Sequence, residues 1–168
     1  NLFIPFSVPT SPLLTLIIDL KIPTIVDPKK DNFFAYKNVD IFKPNLKEIK
    51  EGLAVDFDVL SNTQLAENVE LVRTKLNAKG VLLTLSENGI YFQDKTNVYH
   101  ENAHKRAIVD VSGAGDTVVS VAALALACGL QSNELMRIAN LAGGLVCEKV
   151  GVVPIRIEDL LNSSKIKR

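Results

Sequence analysis

Two short β-branched runs, IPTIVDP at residues 22–28 and VDIFKPN at 39–45, each stop at a proline that follows a charged residue. Proline has no N–H for a ladder and biases its predecessor toward extended backbone, so each run reads as a buried strand that ends abruptly in a loop. Helical patterns lie around them. SPLLTLIIDL has Ser11 as a cap and Pro12 in the first turn, and NLKEIKEGL has Gly52 near its end. SNTQLAENVELVRTKLNAKG puts Leu65, Val69, Val72 and Leu76 on one face, with Gly80 closing it. Short buried strands alternating with helices predict an α/β fold whose mainly parallel sheet is covered on both faces in three α/β/α layers. At 168 residues the whole chain, 1–168, reads as one domain.

The second half adds a mixed edge. VLLTLSENGIYFQ divides into two strands around Glu87-Asn88-Gly89, a tight-turn signal. Residues 94–105 read as polar loop or edge strand, and RAIVDVS as a last strand. Three helices follow, in GDTVVSVAALALACG, SNELMRIANLAGGLVCEKVG and IEDLLNSS; the first, from Val118 to Ala127, is apolar nearly all round and therefore expected to be buried. Nineteen basic side chains balance nineteen acidic ones, which argues against a nucleic-acid or anionic-membrane partner and makes any anion site local. Cys128 and Cys147 both sit in apolar helical patterns and read as buried thiols of a reducing, cytoplasmic setting. No apolar stretch reaches membrane-spanning length. An open sheet edge would offer pairing to a second copy, giving a homodimer.

The segment SGAGDT, 112–117, stands where RAIVDVS runs into the apolar helix. Gly113, Ala114 and Gly115 let another backbone or a ligand come close, and their N–H groups lie at the positive end of a helix dipole. One reading is a tight strand-to-helix turn with a dipole-favoured acid. The other is an anion pocket in which Asp116 takes a proton from a nucleophile attacking a phosphoryl group. Neither G-x-x-x-x-G-K-[ST] nor a complete G-x-G-x-x-G is present, since Val118 stands where the third glycine would be.

FKPNLKEIK presents the same ambiguity. Asn45 and Glu48 have the spacing of a capping box, and they also fall at a strand's C-terminal end, where open α/β sheets bind ligands and where one carboxylate with waters suits Mg²⁺. TLSENG, 84–89, lies at another strand end, with Asn140 and Gly143-Gly144 on a later helix. HENAH, 100–104, matches H-E-x-x-H in form, but its polar-loop and strand flanks do not supply the helix that a zinc site needs.

Taken in order, DPKKDNFFAYKNVDIFKPNLKEI, LLTLSENGIYF, IVDVSGAGDTVVSVAALALA and IANLAGGLVCEKVG resemble the C-terminal, ATP-binding half of a ribokinase-like, pfkB-family sugar kinase, over about residues 15–162. The GAGD segment and N-x-x-E are that family's marks, and within it the TLSENG, GDTV and EKVG stretches are most similar to heptose 7-phosphate kinases. The resemblance implies a ribokinase-like fold and transfer of the γ-phosphoryl group of MgATP to a sugar or sugar-phosphate hydroxyl. For the heptose branch that hydroxyl is the anomeric one, in ADP-heptose and lipopolysaccharide synthesis. It further implies Asp116 as general base, with Gly113, Ala114 and Gly115 as the anion hole. Asn45, Leu46, Lys47 and Glu48 would form an ATP-contacting loop with Glu48 near Mg²⁺. Thr84, Ser86 and Gly89 would line the nucleotide site, and Asn140 would approach adenine or ribose. Asp110, with carbonyls near Ser112, Val146 and Gly151, would match a monovalent-cation site for K⁺. The family's first strands, most of its sugar contacts and its β lid have no counterpart in these residues, and PFSVPTS stands where the heptose kinases carry an Asp-Tyr-x-x-Gly-like turn.

Overall fold

The computed structural model describes residues 12–104 and 107–165. The expected cap at Ser11 lies outside them. Strands β1 (Ile25–Val26), β2 (Ile41–Phe42) and β3 (Gly80–Thr84) run parallel, and β4 (Ile90–Asp94) and β5 (Val98–Glu101) add an antiparallel edge in the order β1-β2-β3-β4-β5. The sheet is thus mixed, half of its four pairings being parallel. Helices α1 (Pro12–Asp19), α2 (Leu46–Leu53), α3 (Asn62–Leu76), α4 (Ala114–Ala127), α5 (Ser132–Val146) and α6 (Ile157–Lys165) surround it.

Successive strand residues point to opposite faces. Phe42, Val81, Leu83 and Tyr91 pack with Leu14, Ile49, Leu65, Val69, Val72 and Leu76 from α1, α2 and α3. Ile41, Leu82, Ile90 and Phe92 pack on the other side with Val118, Ala122, Ala125, Leu135, Met136 and Ala139 from α4 and α5. This gives the three layers that the strand pattern predicts, and it explains why the parallel strands β1, β2 and β3 carry almost no polar residue: both their faces are core.

The helix ends differ from expectation in an instructive way. The left-handed C-cap of α2 is Ala54 (φ 55°) and that of α3 is Asn77 (φ 50°), neither of them glycine. Gly52 lies near the end of α2 as expected, but as its penultimate residue and not its cap, where a Cβ would stand 2.5 Å from the Phe33 ring. Gly80 opens β3 rather than closing α3, and its bare Cα admits the Phe92 ring, 2.7 Å from where a Cβ would be. Both glycines answer to packing, which no local pattern reveals.

RAIVDVS is not a strand over its described part. Residues 107–111 have no ladder partner among the described residues, and Ile108, Val109 and Val111 are exposed. The segment is held by hydrogen bonds instead: the N–H groups of Val109 and Asp110 both donate to the Cys147 carbonyl, at 2.8 and 3.2 Å. The β-branched run thus had the propensity of a strand without a neighbour to pair with. Two burial expectations also fail. Cys128 is exposed and Cys147 half-buried, both as free thiols, because they fall at the C-terminal ends of α4 and α5 rather than on the packed stripes. Leu124 in α4 is exposed as well, since the helix meets the sheet on one side only.

A polar clasp fixes the N-terminal end of β2. The Asp40 carboxylate accepts from the Thr24 N–H at 2.8 Å and from its hydroxyl at 3.0 Å, and it pairs with Lys79. The Asp40 N–H returns a bond to the Thr24 hydroxyl at 2.9 Å. Burial pushes the Asp40 carboxyl up, but the bonds from Lys79 and Thr24 outweigh it and leave it below its ordinary value. At the opposite end of the sheet, Gly89 closes the β3–β4 connection at φ 88°. A Cβ there would lie 2.1 Å from the Glu101 carbonyl oxygen and 2.5 Å from the Ala103 nitrogen.

Because the Asp40 pKa is lowered on folding, its contribution is present above the ordinary aspartate pKa of about 4 and is lost as pH falls through the folded value. Asp40→Asn should cost about 1.5–3 kcal/mol at pH 7 and remove part of the acid-induced loss, as read from denaturant melts at pH 7 and pH 3. Gly89→Ala should cost at least ~2 kcal/mol, from the left-handed backbone and the clash with β5 together, and lower the thermal midpoint by several degrees.

Candidate active site

The C-terminal ends of the three parallel strands bring one group of polar residues together. The Lys43 N–H donates to the Val26 carbonyl at 2.7 Å, so Asp27 and Lys43 follow directly on the register of β1 and β2. The Lys43 ammonium lies 2.7 Å from Asp27 Oδ1 although its side chain is only 3% exposed. Asn45 bridges to Thr84 at the end of β3, with the Thr84 N–H donating to the Pro44 carbonyl at 3.2 Å. Both halves of the capping box are formed: the Asn45 N–H donates to Glu48 Oε2 at 2.8 Å, and the Glu48 N–H to Asn45 Oδ1 at 2.9 Å. The structural reading of N-x-x-E is therefore correct.

That box leaves chemistry to spare. It uses one oxygen of the Glu48 carboxylate, which sits half-buried at the crevice where α/β sheets take ligands. Burial pushes the Glu48 carboxyl above its usual range; the Asn45 N–H opposes this, the Asp27 charge adds to it, and Lys43 and Lys29 counter. One carboxylate with room for waters suits Mg²⁺, which keeps much of its hydration shell. Leu46 is half-buried against the α2–α3 core, and Lys47 projects into solvent 4.0 Å from Glu51.

A second group surrounds the N-terminus of α4, which packs against β1. Gly113 is its N-cap at φ 77° and would press a Cβ to 3.1 Å from Val152. The Thr117 N–H and hydroxyl both donate to the Gly113 carbonyl at 2.9 Å. The Ala114 N–H is engaged at 3.2 Å by the Val111 carbonyl, which weakens its claim on an anion. The N–H groups of Gly113, Gly115 and Asp116 have no acceptor among the described residues. Asp116 is exposed, and its carboxylate makes no hydrogen bond or ion pair among the described residues. Asp110 braces this corner, accepting from the Ser112 N–H at 2.9 Å and the Gly151 N–H at 2.9 Å, bonds that hold it below the usual carboxylate range.

The third group is a tie. Asn140 Nδ2 donates to the Asn102 carbonyl at 3.0 Å, anchoring the exit of β5 to α5 beside Gly89. Ser86 takes φ 53° in the short turn between β3 and β4. Gly89 and Asn140 thus each have a structural task. His100 lies in β5 with Nε2 2.9 Å from the Asn88 carbonyl, and His104 lies beyond the strand, so the HENAH histidines share no helix face. Among the described residues no three His, Cys, Asp or Glu side chains gather as a metal cluster, and no helix is long and apolar enough to cross a membrane. Sequence reasoning had treated Asp27 and Lys43 only as strand terminators. Their signal was present in the matching positions of Asp27-Pro28 and Lys43-Pro44 after adjacent parallel strands.

The comparisons with known proteins agree with this layout. The profile described as pfkB family carbohydrate kinase matches residues 18–158. The bifunctional protein HldE of Campylobacter concisus is 36% identical over 151 residues, covering 88% of this chain and 31% of its own. The D-beta-D-heptose 7-phosphate kinase of Bordetella bronchiseptica is 32% identical over 152 residues, covering 90% and 48%. Among solved structures, phosphofructokinase-2 of Escherichia coli in complex with potassium superposes with a TM-score of 0.83 at 21% identity, covering 93% of this chain and 51% of that one. Ribokinase of Thermotoga maritima gives 0.74 at 22%, covering 94% and 54%. The chain spans half or less of the length of the curated relatives it matches. With a ribokinase-like fold, an N-x-x-E box at a strand end and GAGD at a helix start, the chain belongs to the pfkB family of carbohydrate kinases.

Proposed function

We propose that this chain is the nucleotide-binding part of an ATP-dependent sugar kinase that transfers the γ-phosphoryl group of MgATP to a sugar-phosphate hydroxyl, heptose 7-phosphate at its anomeric position. The observation that carries this reading is Gly115. Its φ is not positive, and a Cβ there would meet nothing within 4 Å. Gly113 has a conformational reason to be glycine; Gly115 has none among the described residues, and it stands at a helix N-terminus whose N–H groups at Gly113, Gly115 and Asp116 have no acceptor among them. A tight-turn account explains the first glycine and not the second.

In this reading the amides of Gly113, Gly115 and Asp116 face the charge that develops on the transferred phosphoryl oxygens. Asp116, exposed and without a hydrogen-bond or ion-pair partner among the described residues, accepts the proton of the attacking hydroxyl. Bound Mg²⁺ would neutralise phosphate charge, and Glu48 with Asn45 would orient it through water. Thr84 and Ser86 lie at the adjacent strand end to receive the nucleotide. Asp110 keeps the 110–113 loop in place and, with carbonyls near Ser112, Val146 and Gly151, offers a K⁺ position. The heptose assignment is supported by the heptose kinase and HldE relatives at 32–36% identity.

A nucleotide-binding unit that transfers no phosphate has the same residues, and one titration separates the two. Calorimetry of this chain should show MgATP binding, and ADP should form on addition of heptose 7-phosphate when these residues stand in an intact kinase. Binding without ADP leaves the non-catalytic reading; no binding removes both. Gly115→Ala should keep the thermal midpoint, or raise it by an amount worth up to ~1 kcal/mol from helix propensity, while weakening MgATP binding. In an intact enzyme, Asp116→Asn should leave MgATP affinity nearly unchanged and cut turnover by about two or more orders of magnitude. Near-normal turnover in Asp116→Asn contradicts the assigned base.

A further inference from the structure

The loop that leads into α4 takes its support from one short segment, residues 147–152, between α5 and α6. The Val109 and Asp110 N–H groups both donate to the Cys147 carbonyl, and the Gly151 N–H donates to Asp110 Oδ2. Val152 is the side chain that a Cβ on Gly113 would meet. Yet no residue from 147 to 152 is buried, and Gly151 turns the backbone there at φ 75°. A segment without core packing opens easily unless directional contacts restrain it. One such contact comes from α6: Lys149 Nζ lies 2.8 Å from Asp159 Oδ2. Helix α6 packs against α5, but none of its residues from Ile157 to Ser163 is buried. The polar contact therefore carries weight that apolar packing carries elsewhere in the fold.

We infer that Lys149 is a positioning residue: paired with Asp159, it holds residues 147–151 where the Cys147 carbonyl and the Gly151 N–H fix the loop that presents the Gly113, Gly115 and Asp116 amides. Helix α6, which contributes no residue to the site, thereby sets how firmly those amides are aligned and how tightly MgATP is held. The inference rests on the reading of these amides as the anion site for the nucleotide. The two side chains are 41% and 33% exposed, so the pair has the modest strength of a partly solvated one, roughly two- to fivefold in an equilibrium constant.

Amide hydrogen exchange and MgATP calorimetry on the full chain test this. Asp159→Asn should speed exchange at Val109 and Asp110 and weaken MgATP binding, each roughly two- to fivefold. A pair that only stabilised the fold would leave both unchanged, because these exposed amides open locally and a folded chain binds its ligand with undiminished affinity. Lys149→Gln should match Asp159→Asn, and the double variant should be no worse than either single one, as for two groups forming one contact. Lys149→Arg keeps the charge and should behave as wild type. Unchanged exchange at Val109 and Asp110, unchanged MgATP affinity, additive losses in the double variant, or loss in Lys149→Arg overturns the proposal. If Asp159→Asn does not fold, Lys149→Gln against Lys149→Arg reads the same contact. A wild-type chain that binds no MgATP removes the nucleotide reading alone, and exchange at Val109 and Asp110 still decides whether α6 holds the loop.

Discussion

The parallel part of the sheet is buried on both faces, and its polar residues that can do chemistry are consequently confined to the ends of its strands. Phe42, Val81 and Leu83 serve one core and Ile41 and Leu82 the other, so β2 and the middle of β3 have no side chain left to offer a ligand. Parallel pairing then sets the C-terminal ends of β1, β2 and β3 side by side, which gathers Asp27, Lys43, Asn45, Glu48 and Thr84. The N-terminus of α4 supplies the complementary feature, donors without acceptors among the described residues. The architecture thus separates carboxylate from amide chemistry between strand ends and the start of α4.

The two groups are held by different forces. The strand-end residues rest on core packing and on a capping box with both bonds formed. The loop before α4 rests on hydrogen bonds: Asp110 to Ser112 and Gly151, and Val109 and Asp110 to Cys147, while Ile108, Val109, Val111, Val150 and Val152 stay exposed around it. A loop held by a few directional bonds can keep its amides aligned and still adjust to a ligand, which a densely packed strand end cannot.

Much of this was readable in the residues. The strand stops at Asp27-Pro28 and Lys43-Pro44, the heptad-like stripe Leu65, Val69, Val72 and Leu76, and the hairpin at Glu87-Asn88-Gly89 all have local causes and were found. What escaped was set by distant neighbours. Gly52 and Gly80 make room for Phe33 and Phe92, RAIVDVS finds no strand to pair with, and Cys128 lies off the packed stripe. At the site, the capping reading of N-x-x-E is borne out, and capping consumes one carboxylate oxygen of Glu48 and not the other. The Asp27–Lys43 pair was missed because its meaning depends on the register of two strands, which no single stretch of sequence contains.

The central claim is that the unsatisfied amides at the start of α4 and the strand-end box receive one and the same ligand. Amide chemical shifts of the ¹⁵N-labelled chain, followed as MgATP is added, test it directly. The account predicts that Gly113, Gly115 and Asp116 move together with Asn45, Glu48 and Thr84, along one saturation curve with one affinity. Shifts confined to either group alone, or movement centred elsewhere on the molecule, would contradict it.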